Sequence, residues 1–399
     1  MSTIYGNAII IPSMGGSAKW KDVTFIDYDG SVLYSYSLAE AQALTKLPTL
    51  PSHDGLVCQG WNWTLEAIKA LNRPVTVGAM YITDDGATRL HIRIATVGRM
   101  TVKLYISQTM SNGVSIDWGD WRSAEMLSGT GNVNTSHTYD EPGDYIISLM
   151  PQDGCTLSFG SGSSSYCVMG STANNNIVYC NMLQDVSIGK NVTSIGSSAF
   201  RNCYSLASIT IPADVTSIDS SAFQDCYSLA SITIPDGVTS ISDFVFRNCY
   251  SLARITIPNG VTSIGNSAFN VCFSLASITI PNGVTSIGSN AFQNCYSLAS
   301  ITIPDGVTSI GTYAFGYCYS LARITIPAGV TSIDSAAFRD CYGMCCYDFS
   351  ACTAIPTLSN TNAFKNIQFD CQMLIPSSLY NNWKSATNWA TYEGYMVAI

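Results

Sequence analysis

The chain has 399 residues, of which 47% are hydrophobic and only 11% are Asp, Glu, Lys or Arg, less than half the usual charged share. No apolar run approaches the ~18 residues that a membrane-spanning helix needs, and no Lys/Arg cluster accompanies the formal net charge of -9. We therefore expect a folded protein with a hydroxyl- and amide-rich surface that does not insert into membranes and does not bind nucleic acid.

Two Asp-Gly pairs in the amino-terminal region predict hairpin turns. Asp29-Gly30 lies between two runs with strand composition, residues 23–28 and 31–36. Asp85-Gly86 precedes a further strand that starts at Arg89. Short helices are predicted where Ser37 and Thr64 have the chemistry of N-cap residues. This mixture of short strands and helices indicates an α+β region, which we interpret as a docking region.

The segment that follows resembles a PKD-type β-sandwich. The resemblance is carried by Val114-Ser-Ile-Asp-Trp-Gly-Asp120 and by Ser136-His-Thr-Tyr-Asp-Glu-Pro-Gly-Asp-Tyr145. Sandwiches of this kind act as spacers or stalks. Asp117, Asp120 and Asp144 fit two interpretations, since carboxylates bind calcium but also cap tight turns.

A repeat of 23 residues dominates the second half of the chain. Its cysteine column is Cys203, Cys226, Cys249, Cys272, Cys295, Cys318 and Cys341, and its phenylalanine column is Phe200, Phe223, Phe246, Phe269, Phe292, Phe315 and Phe338. In the unit Leu206-x-x-Ile209-x-Ile211, apolar residues alternate with hydroxyl residues, which predicts a short strand with one buried face. One coil of this length cannot bury its own apolar face, so we expect the coils to stack into a β-solenoid.

The cysteine column has two interpretations. A thiol at one fixed place in every repeat is typical of a small buried apolar residue, which predicts free thiols. Stacked coils also bring neighbouring thiols close together, so some disulfide pairing stays open.

The repeat unit resembles the BspA-like leucine-rich repeat of bacterial surface proteins and phage tail proteins. Ile-Thr-Ile-Pro, Val-Thr-Ser-Ile-Gly, Ala-Phe and Cys-x-Ser-Leu recur in register between Val186 and Met344. The segment after the repeats resembles the end cap of this family, and a helix around Ser377 to Ala386 is expected to cover the last apolar layer. Together these patterns predict a mainly β protein, in which an α+β region and a PKD-like β-sandwich precede a capped leucine-rich-repeat β-solenoid. The predicted domains are 1–100 (docking region), 101–155 (sandwich), 183–344 (solenoid) and 345–399 (cap).

Catalysis finds little support in the sequence. None of the three histidines has a Cys or Ser partner at a recognisable nucleophile spacing, and phosphate-binding and dinucleotide-binding fingerprints are absent. We therefore expect no catalytic residues, no cofactor and no metal site.

The outer surface of the repeats offers a candidate binding site. An aromatic column runs beside the cysteine column, and two arginines interrupt the serine column on the strands. The candidate ligand-binding residues are Tyr204, Tyr227, Tyr250, Arg254, Tyr296, Tyr319 and Arg323. We expect an anionic or hydroxyl-rich polymer to bridge the two arginines, with tyrosine faces between them. The alternative is that the tyrosines only pack against one another along the column.

The sequence therefore predicts a non-enzymatic, virion-associated tail or receptor-binding protein that attaches to a host surface ligand through its repeats. It combines modules of an extracellular type with no recognisable export signal, which fits folding in the bacterial cytoplasm and release by lysis. The alternatives are a bacterial cell-surface adhesin and a purely structural virion decoration protein. The expected partners are a host cell-surface glycan or protein, other virion proteins and further copies of the chain in a homo-oligomer.

Overall fold

The chain is mainly β and divides into two compact units. One unit comprises Met1–Ala87 with Trp121–Ala124, and the other comprises Thr88–Asp120 with Glu125–Ile399. The computed structural model describes residues 4–5, 8–9, 22–27, 31–52, 56–61, 65–69, 75–83, 86–95, 100–120, 122–160, 166–171 and 177–399. Within these ranges, no helix is both long and apolar enough to cross a lipid bilayer.

The first unit is built around one sheet. Its strands are Ile4–Tyr5, Ala8–Ile9, Val23–Ile26, Val32–Tyr36, Leu56–Trp61 and Val75–Thr83, and its helices are Leu38–Gln42 and Leu65–Lys69. The long strand Val75–Thr83 is central, since it pairs with three of the others. Phe25 lies at the centre of the core, where its ring meets the edges of aromatic neighbours such as Trp61, with centroids 4.8 Å apart.

Two local predictions for this unit are confirmed. Val23–Ile26 and Val32–Tyr36 form an antiparallel hairpin, although Asp29 and Gly30 themselves lie outside the described residues. Ser37 caps the helix Leu38–Gln42 in a capping box with Glu40, which explains why the helix begins there. Thr64 lies outside the described residues, immediately before Leu65–Lys69.

The hairpin predicted at Asp85-Gly86 is wrong. Gly86 has the positive φ of a turn residue (Asp85 lies outside the described residues), but the strands on either side do not pair with each other. Val75–Thr83 belongs to the first unit, whereas Thr88–Ile94 pairs with Gly143–Pro151 and Leu183–Ser187 in the second. A turn signal shows where the chain changes direction, but long-range packing selects the partner of each strand. The first compact unit therefore ends at Ala87, apart from Trp121–Ala124, and the second begins at Thr88.

The second unit begins as two sheets that share one apolar core. One sheet contains, in spatial order, Glu125–Met126, Val114–Asp117, Gly143–Pro151, Thr88–Ile94, Leu183–Ser187 and Ser208–Thr210. The other contains Gly131–Thr138, Thr101–Gln108, Leu157–Phe159, Ser194–Ile195 and Ser217–Ile218. Residues alternate between buried and partly exposed along Thr101–Gln108, as expected for a strand with one face in the core.

Both sheets continue directly into the solenoid. Leu183–Ser187 pairs antiparallel with Thr88–Ile94 on one side and parallel with Ser208–Thr210 on the other. In the second sheet, Leu157–Phe159 pairs in parallel with Ser194–Ile195. The sandwich therefore covers the first apolar layer of the repeats, which a solenoid cannot leave open to water.

Each coil of the solenoid contributes the same buried set. In one coil, Leu252, Ile255, Val261, Phe269 and Cys272 are all 8% exposed or less. The phenylalanine rings from Phe200 to Phe364 stack nearly parallel, with centroids 5.3 to 5.6 Å apart. The remaining strands of the repeats and the cap are Ser231–Thr233, Arg254–Thr256, Ser263–Ile264, Ser286–Ile287, Ser309–Ile310, Arg323–Thr325, Ser332–Ile333, Cys346–Asp348, Thr357–Leu358, Gln372–Ile375 and Met396–Ala398. Parallel pairing at intervals of one repeat makes this part the predicted β-solenoid.

Each coil turns through two left-handed residues four positions apart. These pairs are Ser198/Asn202, Ser221/Asp225, Phe244/Asn248, Ser267/Val271, Asn290/Asn294, Tyr313/Tyr317 and Ala336/Asp340. Their N–H groups point toward the next coil, as in the bonds from Ser221 to the Asp243 carbonyl and from Asp225 to the Arg247 carbonyl. The turns therefore extend the hydrogen-bond ladder where the chain is not a strand.

The carboxy-terminal cap closes the far end. The predicted helix is present but shorter, as Tyr380–Ser385, and a 3₁₀ helix follows at Ala390–Tyr395. Trp383 and Trp389 are buried against Phe349. The indole of Trp389 donates to the Pro356 carbonyl at 2.7 Å.

Candidate binding surface

Parallel pairing places equivalent residues of successive coils side by side on the surface. Ser231 lies opposite Arg254 in one pair of strands, and Arg323 lies opposite Cys346 in another. The serine, arginine and threonine side chains of these strands are exposed, while the isoleucines between them are buried. Because Arg254 and Arg323 are three coils apart, strand spacing separates them by about 14 Å along the solenoid.

The aromatic column forms a continuous stack. It runs through Tyr204, Tyr227, Tyr250, Phe273, Tyr296, Tyr319 and Tyr342. Successive ring centroids are 4.4 to 5.4 Å apart, and the planes lie within 22° of each other. We call this set the aromatic ladder. Its first members are half-buried, whereas Tyr296, Tyr319 and Tyr342 are 36%, 38% and 50% exposed.

The stacking changes what a ligand can contact. Each ring covers the face of the next, so the expectation that tyrosine faces are open between the arginines is wrong for the interior of the ladder. The ring edges remain available instead, and so do the acceptor lone pairs of the hydroxyl groups, even at Tyr342, whose hydroxyl donates to the Asp340 carboxylate at 2.9 Å. Burial, followed by the Asp225 carboxylate, raises the pKa of Tyr227 to about 12, so this phenol stays protonated near neutral pH. A protonated hydroxyl both donates and accepts hydrogen bonds.

The two candidate arginines differ in their surroundings. The Nη2 atom of Arg323 donates to the Asp348 carboxylate on the neighbouring strand at 2.6 Å, so its charge is already paired. Arg254 is exposed and has no ion-pair partner among the described residues. Arg254 is therefore the stronger candidate for contact with an anionic group.

A tyrosine cluster beside the ladder was not predicted from the sequence. The Nη1 atom of Arg339 donates to the Tyr313 hydroxyl at 3.2 Å, and its guanidinium lies 6.0 Å from the centre of the Tyr317 ring. The edge of Tyr317 meets the ladder at Tyr319, with ring centroids 6.4 Å apart. We call Tyr313, Tyr317 and Arg339 the tyrosine cluster.

The sequence signal for this cluster is its departure from the repeat pattern. Tyr313 and Tyr317 occupy left-handed positions, with φ of 52° and 62°, where other coils mostly have Ser, Asn or Asp. A bulky side chain is unfavourable in this conformation, and such strain is common at functional sites. Unusual residues at strained positions of a repeat therefore merit attention as binding candidates.

The acidic residues of the sandwich have separate partners. Asp117 accepts a hydrogen bond from the Gly119 N–H and so caps a turn. Asp120 contacts His137 at 2.6 Å, and Asp144 contacts both His91 and Arg93. The turn interpretation therefore fits Asp117. In the described ranges, no three or more His, Cys, Asp or Glu side chains are grouped so that they could hold a metal ion.

His91 belongs to a charged cluster where the sandwich meets the first coil. Its Nε2 atom lies 3.3 Å from Asp144, and its Nδ1 atom lies 3.2 Å from Asp185. Burial acts to lower the pKa of His91, but the hydrogen bonds to Asp144 and Asp185 outweigh it and raise the pKa to about 9. Asp185 also accepts a hydrogen bond from Ser208 in the next coil. This arrangement favours a structural role at the junction.

Comparison with known proteins identifies the repeats. The BspA type leucine rich repeat region matches residues 171–298, 216–345 and 270–387, in six copies. Together these segments cover more than half of the chain. No curated protein matches the chain.

Several solved structures are similar to the chain. A leucine rich cell surface protein from Faecalibacterium prausnitzii is 31% identical over 53% of this chain and 64% of its own, with a TM-score of 0.38. A leucine-rich repeat protein from Bacteroides ovatus is 29% identical over 55% of this chain and 62% of its own, with a TM-score of 0.43. A leucine rich repeat protein from T. pallidum is 29% identical over 48% of this chain and 84% of its own, with a TM-score of 0.37. The chain therefore spans less than two thirds of the first two proteins.

Proposed function

Since the chain belongs to the BspA type leucine rich repeat family, we propose that it is a non-enzymatic binding protein of a bacterial cell surface. In this proposal, the sandwich holds the solenoid outward, and the side of the solenoid binds a glycan or protein of another cell. The repeats of this chain resemble those of bacterial surface proteins. This resemblance favours an adhesive role over a catalytic one.

The aromatic ladder is the observation that carries the proposal. It presents a row of hydroxyl-bearing ring edges at a regular spacing of 4.4 to 5.4 Å on a rigid scaffold. Tyrosine loses little conformational entropy on binding, and a stacked tyrosine loses still less. A linear ligand with repeating hydroxyl or amide groups matches such a row, and the exposed charge of Arg254 adds a preference for anionic groups.

A virion tail location is the second candidate. Its supporting observation is the buried thiol column, in which thiols such as Cys249 donate to a phenylalanine carbonyl at 3.3 Å and need no disulfide. Such a column fits folding in a reducing cytoplasm followed by release through lysis. Antibody detection in purified phage particles would favour the virion, and detection on washed intact cells would favour the surface adhesin.

The binding test removes hydroxyl groups but keeps the stack. Tyr296→Phe, Tyr319→Phe and Tyr342→Phe are combined in one full-length variant, because Phe273 shows that the ladder accepts phenylalanine. Labelled wild-type protein and the variant are applied to a glycan array and to panels of intact bacterial and epithelial cells. At about 1 kcal/mol for each lost hydrogen bond, the variant should bind about 100-fold more weakly.

The matched control removes hydroxyl groups from another exposed column of the same coils. Thr285→Ala, Thr308→Ala and Thr331→Ala should leave binding unchanged, and both variants should keep a Tm within a few degrees of wild type. If the phenylalanine variant binds as tightly as wild type, the ladder is not the binding surface. An Arg254→Ala variant that loses only anionic glycans would assign the charge preference to Arg254.

A further inference from the structure

Three buried thiols meet where the sandwich ends and the solenoid begins. Cys167 lies in a two-stranded hairpin formed by Tyr166–Cys167 and Gly170–Ser171, and Cys180 lies in the 3₁₀ helix Ile177–Met182. Their sulfur atoms are 2.6 Å apart, and each residue is only 1% exposed. Cys203, the first cysteine of the repeat column, is fully buried and within hydrogen-bonding reach of both.

This arrangement differs from the rest of the thiol column. From Cys226 to Cys341, each thiol donates to the carbonyl of a phenylalanine 26 residues earlier, at 3.1 to 3.3 Å. Burial raises the pKa of thiols such as Cys226 and Cys249 well above the usual value, so they stay protonated and unreactive. The column is therefore inert along its length.

The first position of the column has a different environment. Hydrogen bonds from Cys180 and then from Cys203 lower the pKa of Cys167 well below its ordinary value, whereas burial raises the pKa of Cys203. Two of the three thiols, those of Cys167 and Cys180, lie close enough together to pair.

We propose that Cys167 and Cys180 form a disulfide when the chain folds in an oxidising compartment, and that Cys203 is the alternative partner of Cys167. The sulfur atoms are only about half an ångström farther apart than in a disulfide bond, so little movement is required.

The reaction needs an oxidant of the disulfide class, such as oxidised glutathione or a disulfide oxidoreductase. One of the two cysteines attacks, as its thiolate, one sulfur of that disulfide, which breaks the S–S bond and releases the first oxidant thiol. The other cysteine, after loss of its proton, attacks the mixed disulfide and releases the second. Two cysteine thiols are oxidised, and one disulfide is reduced to two thiols that carry the two protons. Since both sulfur atoms are buried in the folded chain, we expect exchange to occur before the hairpin packs.

The bond would fasten the hairpin over the first coil. The N–H of Val168 donates to the Ala199 carbonyl of that coil. The carbonyl of Val168 accepts a hydrogen bond from the Tyr105 N–H of the sandwich. A link between Cys167 and Cys180 closes the chain segment between the hairpin and the 3₁₀ helix. The disulfide would therefore stabilise the covered end of the solenoid against opening.

The test compares the full chain purified from a reducing bacterial cytoplasm and from an oxidising periplasm. Each sample is acid-quenched, unfolded, alkylated and digested without reduction, and the peptides are measured by mass spectrometry. In the periplasmic protein, we expect a Cys167–Cys180 linked peptide at near-stoichiometric yield, with Cys226 and Cys249 alkylated as free thiols. The periplasmic protein should also melt a few degrees higher, and reduction should remove the difference.

Two variants sharpen the result. In Cys180→Ser, the periplasmic protein should contain a Cys167–Cys203 linked peptide instead, and a missing link would remove Cys203 as the alternative partner. The matched control Cys226→Ser, made in the inert part of the column, should keep the Cys167–Cys180 link. If Cys167 and Cys180 are alkylated as fully as Cys249 in periplasmic wild-type protein, the proposal is overturned.

Discussion

Replacing Val271 with Asn should stabilise the solenoid. Val271 occupies the second left-handed position of its coil with φ of 64°, where the neighbouring coils have Asn248 at 60° and Asn294 at 61°. A β-branched residue is strongly disfavoured in this conformation, whereas Asn tolerates it. The N–H of Val271 donates to the Gln293 carbonyl at 2.8 Å, and the N–H of Asn248 makes the equivalent bond to Asn270 at 2.8 Å, so Val and Asn share the same backbone arrangement at this position.

The expected gain follows from two opposing contributions. Relief of the left-handed strain contributes about 1–2 kcal/mol. Loss of the half-buried valine methyl groups costs about 0.5 kcal/mol at roughly 25 cal/mol per Å². The net gain is about 1 kcal/mol, which corresponds to a rise in Tm of about 2 °C for a unit of this size.

The reverse substitution is the matched control. Asn294→Val places the β-branched side chain at φ of 61° one coil later and should lower the free energy of unfolding by about 1–2 kcal/mol. Urea unfolding followed by circular dichroism measures both variants on the full chain. If Val271→Asn lowers stability while Asn294→Val leaves it unchanged, left-handed strain does not limit the stability of these turns.

The charged cluster at the junction predicts a pH dependence. The folded pKa of His91, about 9, exceeds the ordinary histidine value of about 6.5. The contribution of His91 to folding stability is therefore complete below about pH 6.5 and is lost as the pH rises through 9. Wild type should therefore exceed His91→Gln in stability by on the order of 2 kcal/mol at pH 6, and the difference should shrink by pH 10; an equal difference at both pH values would refute the assignment. The second prediction concerns modularity: deletion of residues 252–274 should leave a folded, shorter solenoid, because each coil contacts only its neighbours. Phe269→Asp should unfold the repeats, because it places an unpaired charge in a ring stack whose neighbouring ring centroids are 5.3 and 5.6 Å away. Circular dichroism melts measure both variants. An equal loss of stability in the deletion and in Phe269→Asp would contradict the expectation that each coil contacts only its neighbours.

Local signals predicted local structure correctly but did not select partners. Ser37 and Glu40 form the capping box where the N-cap chemistry predicted a helix start, because that interaction spans only three residues. Asp85-Gly86 predicted a hairpin for the same kind of local reason, yet Thr88–Ile94 pairs with Gly143–Pro151, more than 40 residues away. The free energy of that pairing comes from contacts between distant segments of the chain, which a short-range sequence pattern does not describe.

The candidate site shows the same division. The aromatic ladder and the serine and arginine columns could be predicted because a fixed period makes equivalent residues neighbours. Their environment could not be predicted: the ring faces are closed by stacking, and Arg323 is paired with Asp348 beyond the end of its own repeat. The tyrosine cluster was missed because Arg339 meets Tyr313 only when two coils stack.

The sequence by itself determined the solenoid, since a 23-residue period with one apolar face leaves stacking as the only way to bury that face. It also determined which residues line each column. Only the tertiary structure decided how the solenoid begins, where Leu183–Ser187 joins a sheet of the sandwich and where three thiols from separate segments meet. The physical reason is that contacts within the repeat recur at one fixed separation, whereas those at its beginning depend on segments with no period, whose packing is settled by the fold as a whole.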